Sequence, residues 1–183
     1  MILKRIVVVD IEATCEDRNI VAEFPNEIIE IGAVMIDENG KEIDTFEMFA
    51  RPTLNPKLTD FCKELTTIKQ SDVDNAEDLA DVLIKFYEWS EGCTLISWGG
   101  YDMRQITRDV IRQDITSIID TTEMSSRHIN FKRWYSKRKG LKKEIGMSAA
   151  LRVEKLYLNG THHRGIDDAK NITNIVRRYL DEI

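Results

Sequence analysis

Residues 6 to 12 read IVVVDIE. Four β-branched residues in succession form a short run of the kind that packs as a buried central strand. Such a run rarely ends on two carboxylates. Side chains two apart on a strand point to the same face, so Asp10 and Glu12 leave it in one direction. Two like charges held that close raise each other's pKa unless a cation lies between them. Mg²⁺ or Mn²⁺, which prefer carboxylate oxygens, resolve that conflict. The alternative is a strand end open to water with both acids solvated.

The remaining pattern predicts a mixed α/β sheet covered by helices. Residues 27–37 and 41–50 are apolar runs flanking Asn39-Gly40, a strong hairpin signal, so they read as antiparallel neighbours. Residues 76–90 carry Leu79, Val82, Leu83, Phe86 and Trp89 at helical spacing. Residues 93–98 read as a further strand, 103–111 as helix and 116–120 (TSIID) as a fifth strand. Helices follow over 130–138, 144–153 and 166–181. The order is not a regular βαβ series, and neither GxGxxG nor GxxxxGK[ST] occurs, which disfavours a dinucleotide or P-loop domain.

With 183 residues the chain is long enough for one full core and short for two, so residues 1–183 are expected to form a single domain. No apolar run reaches the length of a membrane span. The first apolar stretch is too short for a signal peptide and is broken by an acid. The expected location is cytoplasmic, with no membrane partner. Cys15, Cys62 and Cys93 are widely spaced with no CxxC pair, which predicts free thiols.

Three further residues bear on the Asp10–Glu12 problem. Asp102 follows WGGY where a strand turns into a helix. Aspartate is a favoured N-cap, so taken alone Asp102 reads as a cap, although Gly99-Gly100 allows backbone to pass close to another group. In the last helix, steps of four, seven and eleven from Asp168 fall on Ile172, Ile175 and Tyr179, whereas those from Asp167 fall on Asn171, Asn174 and Arg178. Asp168 therefore turns toward the protein body and Asp167 toward solvent. His162 and His163 both lie in the preceding loop, and helix geometry does not choose between them. Asp10, Glu12, Asp102 and Asp168 with one histidine make a coherent two-metal centre able to activate water and stabilise a leaving oxygen.

The formal charge of −6 argues against a general nucleic-acid coat. Residues 127–143, however, hold eight Lys or Arg and no acid. That segment is either a solvated helix face or a place where an otherwise acidic body touches a polyanion. Phe131, Trp134 and Tyr135 share one helix face and read as core rather than as a base-stacking platform. Lys132, Arg133 and Lys137 are left outward.

DIEAT, SWGGYD and HHRGIDD, in that order, resemble the three motifs of the DEDDh 3′–5′ exonucleases, the superfamily of proofreading subunits and RNase T. FPNEIIEIGAV, DFCKELTTIKQSDVDNA and GIDDAKNI are similar to the Eri-type branch of 3′ exoribonucleases. Together the matching segments span about residues 6 to 180. The resemblance implies an RNase H-like fold with a five-stranded mixed sheet. It implies divalent-metal-dependent hydrolysis from the single-stranded 3′ end of RNA or DNA, releasing nucleoside 5′-monophosphates. It assigns two Mg²⁺ or Mn²⁺ ions to Asp10, Glu12, Asp102 and Asp168. The family's spacing of five between histidine and final aspartate selects His163, with Glu12, for catalysis. Ala13, Leu65 and Thr66 fall where the family contacts substrate. The branch usually has glycine where this chain has Thr67, and no accessory nucleic-acid-binding domain is expected beside the motifs. Two other readings are a catalytically silent binding module, which predicts loss of one of the five residues, and an RNase H-type endonuclease, which lacks the helix-borne His–Asp pair.

Overall fold

The computed structural model describes residues 5–17 and 19–183. Six strands, β1 (Ile6–Ala13), β2 (Ile28–Ile36), β3 (Glu42–Arg51), β4 (Glu77–Asp78), β5 (Thr94–Ser97) and β6 (His128–Asn130), lie in the order β4-β3-β2-β1-β5-β6. The helices are α1 (Asp60–Thr66), α2 (Gln70–Asp74), α3 (Leu79–Trp89), α4 (Tyr101–Arg112), α5 (Thr121–Ser126), α6 (Phe131–Arg138), α7 (Met147–Val153) and α8 (Gly165–Val176). A 3₁₀ segment, Arg177–Glu182, follows α8. Strand β1 is central, antiparallel to β2 and parallel to β5. The β2–β3 hairpin turns where the sequence predicts, with Gly40 at φ 77° and its amide donating to Asp37 O at 3.0 Å.

The alternation of β1 divides the interior in two. Val7, Val9 and Ile11 pack with α3 and α4 through Leu83, Phe86, Ile106 and Val110. Ile6 and Val8 pack with α6, α7 and α8 through Phe131, Tyr135, Leu151 and Ile172. Val7 and Val8 are both fully buried. Burying an aliphatic side chain of this size stabilises by roughly 1.5–3 kcal/mol, so both faces of β1 contribute. Phe131 and Tyr135 are fully buried and Trp134 stacks on Phe131 at 5.1 Å, as expected of core aromatics. The three cysteines are free, with Cys62 and Cys93 buried. Among the described residues no helix is long and apolar enough to cross a membrane.

Three expectations are corrected. Residues 116–120 do not form a strand. Ile118 and Ile119 both donate to Ile115 O in a turn, and the Asp120 carboxylate accepts from the amides of Thr122 and Glu123, starting α5 instead. The parallel neighbour of β5 is the three-residue β6, and the two-residue β4 extends the far edge, so the sheet has six strands rather than five. The stripe from Asp167 reaches solvent only at its far end, where Arg178 is exposed. Asn171 is fully buried, bonding Asn159 N and O, and Arg178 bonds Glu154. The 159–161 loop folds over that side of α8, where Asp167 accepts from Thr161 N at 2.8 Å.

Candidate active site

The stripe of β1 that begins with Ile6 and Val8 continues as Asp10 and Glu12, facing the layer that holds α8. Opposite them on β2 stand Gly32 and Glu30. A Cβ on Gly32 would overlap the Gly165 carbonyl carbon and the Ile166 nitrogen, so glycine is what lets the first turn of α8 lie directly on the sheet. That docking carries Asp168 to β1. One carboxylate oxygen from each of Asp10, Glu12 and Asp168 lies within 4.8 Å of the others.

Asp102 arrives from the opposite layer. Met103, Ile106 and Val110 of α4 pack into the other core, while Asp102 is buried at the strand end. It is not a cap. Gly100 occupies the N-cap position with no side-chain bond, and Asp102 Oδ1 instead accepts from Ile11 N at 3.4 Å. Gly99 makes the turn at φ 129°. Ser97 Oγ donates to Gly99 O and lies 2.9 Å from His128 Nε2. With Ser97 donating, His128 must carry its proton on Nε2. The third histidine thus braces the turn before Asp102, and burial holds its pKa below the ordinary value.

Burial, together with the neighbouring Asp102, Glu12 and Asp168, drives the Asp10 carboxyl well above the usual carboxylate range. Burial followed by Asp168 and Glu30 pushes Glu12 up to about 8. Burial raises Asp102 as well, against the pull of amide hydrogen bonds. Among the described residues no lysine or arginine forms an ion pair with Asp10, Glu12 or Asp102. Arg164, the nearby cation, is committed to Glu30, with Nη2 3.0 Å from Oε1. Buried, uncompensated, all-oxygen donors are the chemistry that hard divalent cations fit.

The HHRG loop closes the site. His162 Nδ1 lies 2.9 Å from Asp168 Oδ2 and 3.2 Å from Oδ1. The same carboxylate accepts the His163 backbone amide at 3.0 Å. His163 sits at φ 65°, and its ring stacks on His162 with centroids 4.0 Å apart. Burial, then the His162 neighbour, holds the His163 pKa below the ordinary histidine value. Arg164 and the Gly165 amide both bond Glu30, pinning the loop to β2.

The sequence pattern of the exonuclease (RNase T) family matches residues 7–176, nearly the whole chain. The chain belongs to the exonuclease family. It is 33% identical over 187 residues to 3′–5′ exoribonuclease 1 of Rattus norvegicus, covering 97% of this chain and 53% of the relative. ERI1 exoribonuclease 3 of Homo sapiens is 33% identical over 180 residues, 93% of this chain and 52% of the relative. The chain thus spans about half the length of these curated relatives. The nuclease domain of 3′hExo, a DEDDh family member solved with rAMP, superposes with a TM-score of 0.86 at 29% identity, covering 99% of this chain and 94% of that one.

Beside this exonuclease-family site, the described structure places the substrate residues implied by the resemblance unevenly. Ala13 ends β1 next to Glu12. Leu65 is partly exposed on α1. Thr66 is fully buried, with its hydroxyl donating to Cys62 O, so its side chain serves α1 rather than an open surface. Thr67 is a left-handed C-cap of α1 at φ 61°, a backbone conformation that favours glycine. The basic segment is divided. Arg127 bonds Ser90 O and Cys93 O, Arg138 pairs with Glu182, and Lys139 pairs with Glu154. The Lys132 stem lies 4.0 Å from where a Gly99 Cβ would stand, at the turn that precedes Asp102.

Sequence reasoning missed Glu30, Gly32 and Arg164. An acid in the middle of the apolar run EIIEIG signals a buried partner, yet nothing nearby in sequence names it, because Arg164 is 134 residues away.

Proposed function

We propose that the chain is a divalent-metal-dependent 3′–5′ exonuclease acting on the single-stranded 3′ end of RNA, with nucleoside 5′-monophosphates as product. The observation that carries this reading is the convergence of Asp10, Glu12 and Asp168 at the end of β1, with Asp102 buried beside them. The exoribonuclease relatives favour RNA, and DNA is the alternative the experiment tests. Two Mg²⁺ or Mn²⁺ ions held by these four carboxylates would supply the positive charge that activates water and stabilises the leaving oxygen.

The rest belongs to the chain. His163 accepts the proton of the attacking water at a ring nitrogen. Its lowered pKa keeps the ring neutral, and so able to accept, at neutral pH. His162 holds Asp168 and stacks on His163, acting as a positioning residue. Ala13 and Leu65 border the terminal nucleotide, with Thr66 supporting them from inside α1. Lys132 and Lys137 meet upstream phosphates, which sets affinity rather than chemistry.

The test is degradation of matched, end-labelled RNA and DNA oligomers, linear and circular, with Mg²⁺ or Mn²⁺. Stepwise loss of mononucleotides from linear RNA 3′ ends is expected, with circles resistant. Asp168→Ala should abolish turnover in a folded protein. His163→Ala should lower the rate by about 10²–10⁴-fold and remove the ascending limb of the pH–rate profile, whose midpoint lies below the ordinary histidine pKa in the parent. Cleavage of circles as fast as linear strands would overturn the exonuclease reading.

A further inference from the structure

Two of the three cysteines lie against each other. Cys62 is buried in α1, and Cys15, just beyond the end of β1, packs against it. The Cys15 thiol donates to the Cys62 sulfur, and the Cys62 thiol donates to Ala13 O at 3.8 Å. One hydroxyl also bridges the two backbones. Thr59 Oγ1 donates to Cys15 O at 2.7 Å and accepts from Cys62 N at 3.0 Å. A disulfide needs facing Cβ atoms and Cα atoms within roughly 7 Å. Two cysteines joined by a shared backbone bridge and by a sulfur–sulfur hydrogen bond fit that requirement.

The pair is not sealed. Cys15 is half-buried and lines a surface cavity of about 260 Å³, together with Thr14, Pro56 and Thr59. A small oxidant therefore reaches the Cys15 sulfur, with Cys62 standing behind it. The hydrogen bond from Cys15 lowers the Cys62 thiol to about 7. At neutral pH the two sulfurs thus share thiolate character, the reactive form of cysteine. Cys93 is the contrast. It is buried with its thiol on Glu91 O, and burial raises its pKa.

We propose that Cys15 and Cys62 are a dithiol modification site, which hydrogen peroxide converts to a disulfide that silences the nuclease. The Cys15 sulfur attacks the peroxide, the O–O bond breaks, and Cys15 sulfenic acid forms while the thiol proton leaves in one water. The Cys62 sulfur then attacks the Cys15 sulfur. The S–S bond forms, the S–O bond breaks, and the oxygen leaves with the second thiol proton as another water. Two electrons pass from the sulfurs to one peroxide. The silencing half rests on the reading under Proposed function, because it requires that Ala13 and Leu65 border the terminal nucleotide. The modification half does not. A disulfide is only about 2 Å long, so closing it draws α1 toward the end of β1 and takes the Cys62 donor away from Ala13 O. The edge that meets the nucleotide then moves.

The experiment treats the full chain with hydrogen peroxide and then alkylates it under denaturing conditions. Free thiols should fall from three to one. Peptide mapping should place the link between Cys15 and Cys62 and the remaining thiol at Cys93. The oxidised protein should lose most of its Mg²⁺-dependent cleavage of a labelled RNA oligomer, and dithiothreitol should restore it. Cys15→Ser should keep the rate of the reduced parent and lose the response to peroxide. Three free thiols after treatment, or oxidation of Cys15 that never links to Cys62, overturns the site. A Cys15–Cys62 disulfide with an unchanged rate overturns the silencing half. The same disulfide in a protein whose reduced form shows no Mg²⁺-dependent cleavage would leave the modification site standing and overturn both the silencing half and the nuclease reading.

Discussion

At the scale of single residues, Glu12 links the candidate site to stability. Its folded-state pKa of about 8 exceeds the ordinary value of 4.5. Between those values the folded chain holds a proton that the unfolded chain has released, so stability falls as pH rises. That contribution is fully present below the ordinary value and is lost as pH passes through about 8. Asp10 shifts in the same direction. Metal-free protein should therefore melt at progressively lower temperature from pH 5 toward pH 8, and Mg²⁺ or Mn²⁺ should reverse the trend. Thermal melts across that range with and without the ion test this, and a metal-free Tm that rises toward pH 8 would contradict it. Thr67 gives a second prediction. A β-branched residue at φ 61° is strained where glycine is not. Thr67→Gly should stabilise by about 0.5–1 kcal/mol after the extra chain entropy of glycine is subtracted, seen as a higher denaturation midpoint with unchanged slope.

At the scale of elements, the contact between β2 and α8 decides whether the acids meet. Gly32→Ala would drive a methyl into the backbone of Gly165 and Ile166. Because that backbone cannot swing aside as a side chain can, the expected cost is roughly 3 kcal/mol or more, with Asp168 displaced and divalent-ion affinity lost together. Calorimetric titration beside thermal melting checks both, and a variant that melts lower yet binds ions normally would separate the contact from the site. The sequence showed the elements wherever a period was long enough to read. The β1 stripe, the β2–β3 hairpin and the inward face of α8 are where periodicity puts them. Strand β6 has three residues and no room for a period, and its place depends on pairing with β5 rather than on its own composition. TSIID has strand-like composition, but Asp120 serves α5 as a cap. The inward placing of Asp168 followed from helix geometry, and the burial of Asn171 did not, because the 159–161 loop that covers it is invisible to a helical wheel. Asp102 looked like a cap from its local context, and only the fold reveals its bond to Ile11.

At the scale of the whole molecule, charge is arranged so that a net −6 body can still meet a polyanion. Arg127, Arg138 and Lys139 are occupied with structural partners. The cations free to reach substrate are better sought in Lys132, Lys137, Lys142 and Lys143, which form no ion pair among the described residues. Replacing these four by alanine should raise KM, leave kcat nearly intact and reduce the salt dependence of binding. Each phosphate that goes unneutralised takes about 0.7 off the log–log slope for a single strand, so the full set takes off at most roughly 3. Fluorescence anisotropy with a labelled oligomer across a salt series gives the slope directly, and an unchanged slope would place the segment away from the substrate path.

The four carboxylates are drawn from three layers: Asp10 and Glu12 from the sheet, Asp168 from the helices on one side and Asp102 from those on the other. A chain with only one helical layer docked therefore presents an incomplete set of donors. A pair of ions shared among all four would act as a keystone, binding the finished arch and nothing short of it. By mass action such binding adds about 2.7 kcal/mol at a hundred times the dissociation constant, and it adds this to both halves at once. Hydrogen exchange should then slow in α4 and α8 together when the ion is supplied, although the two helices lie on opposite faces of the sheet. Partly folded forms would lose their hold on the ion before they lose their helices, so the concentration of free divalent cation would set how sharply this molecule folds as well as how fast it works.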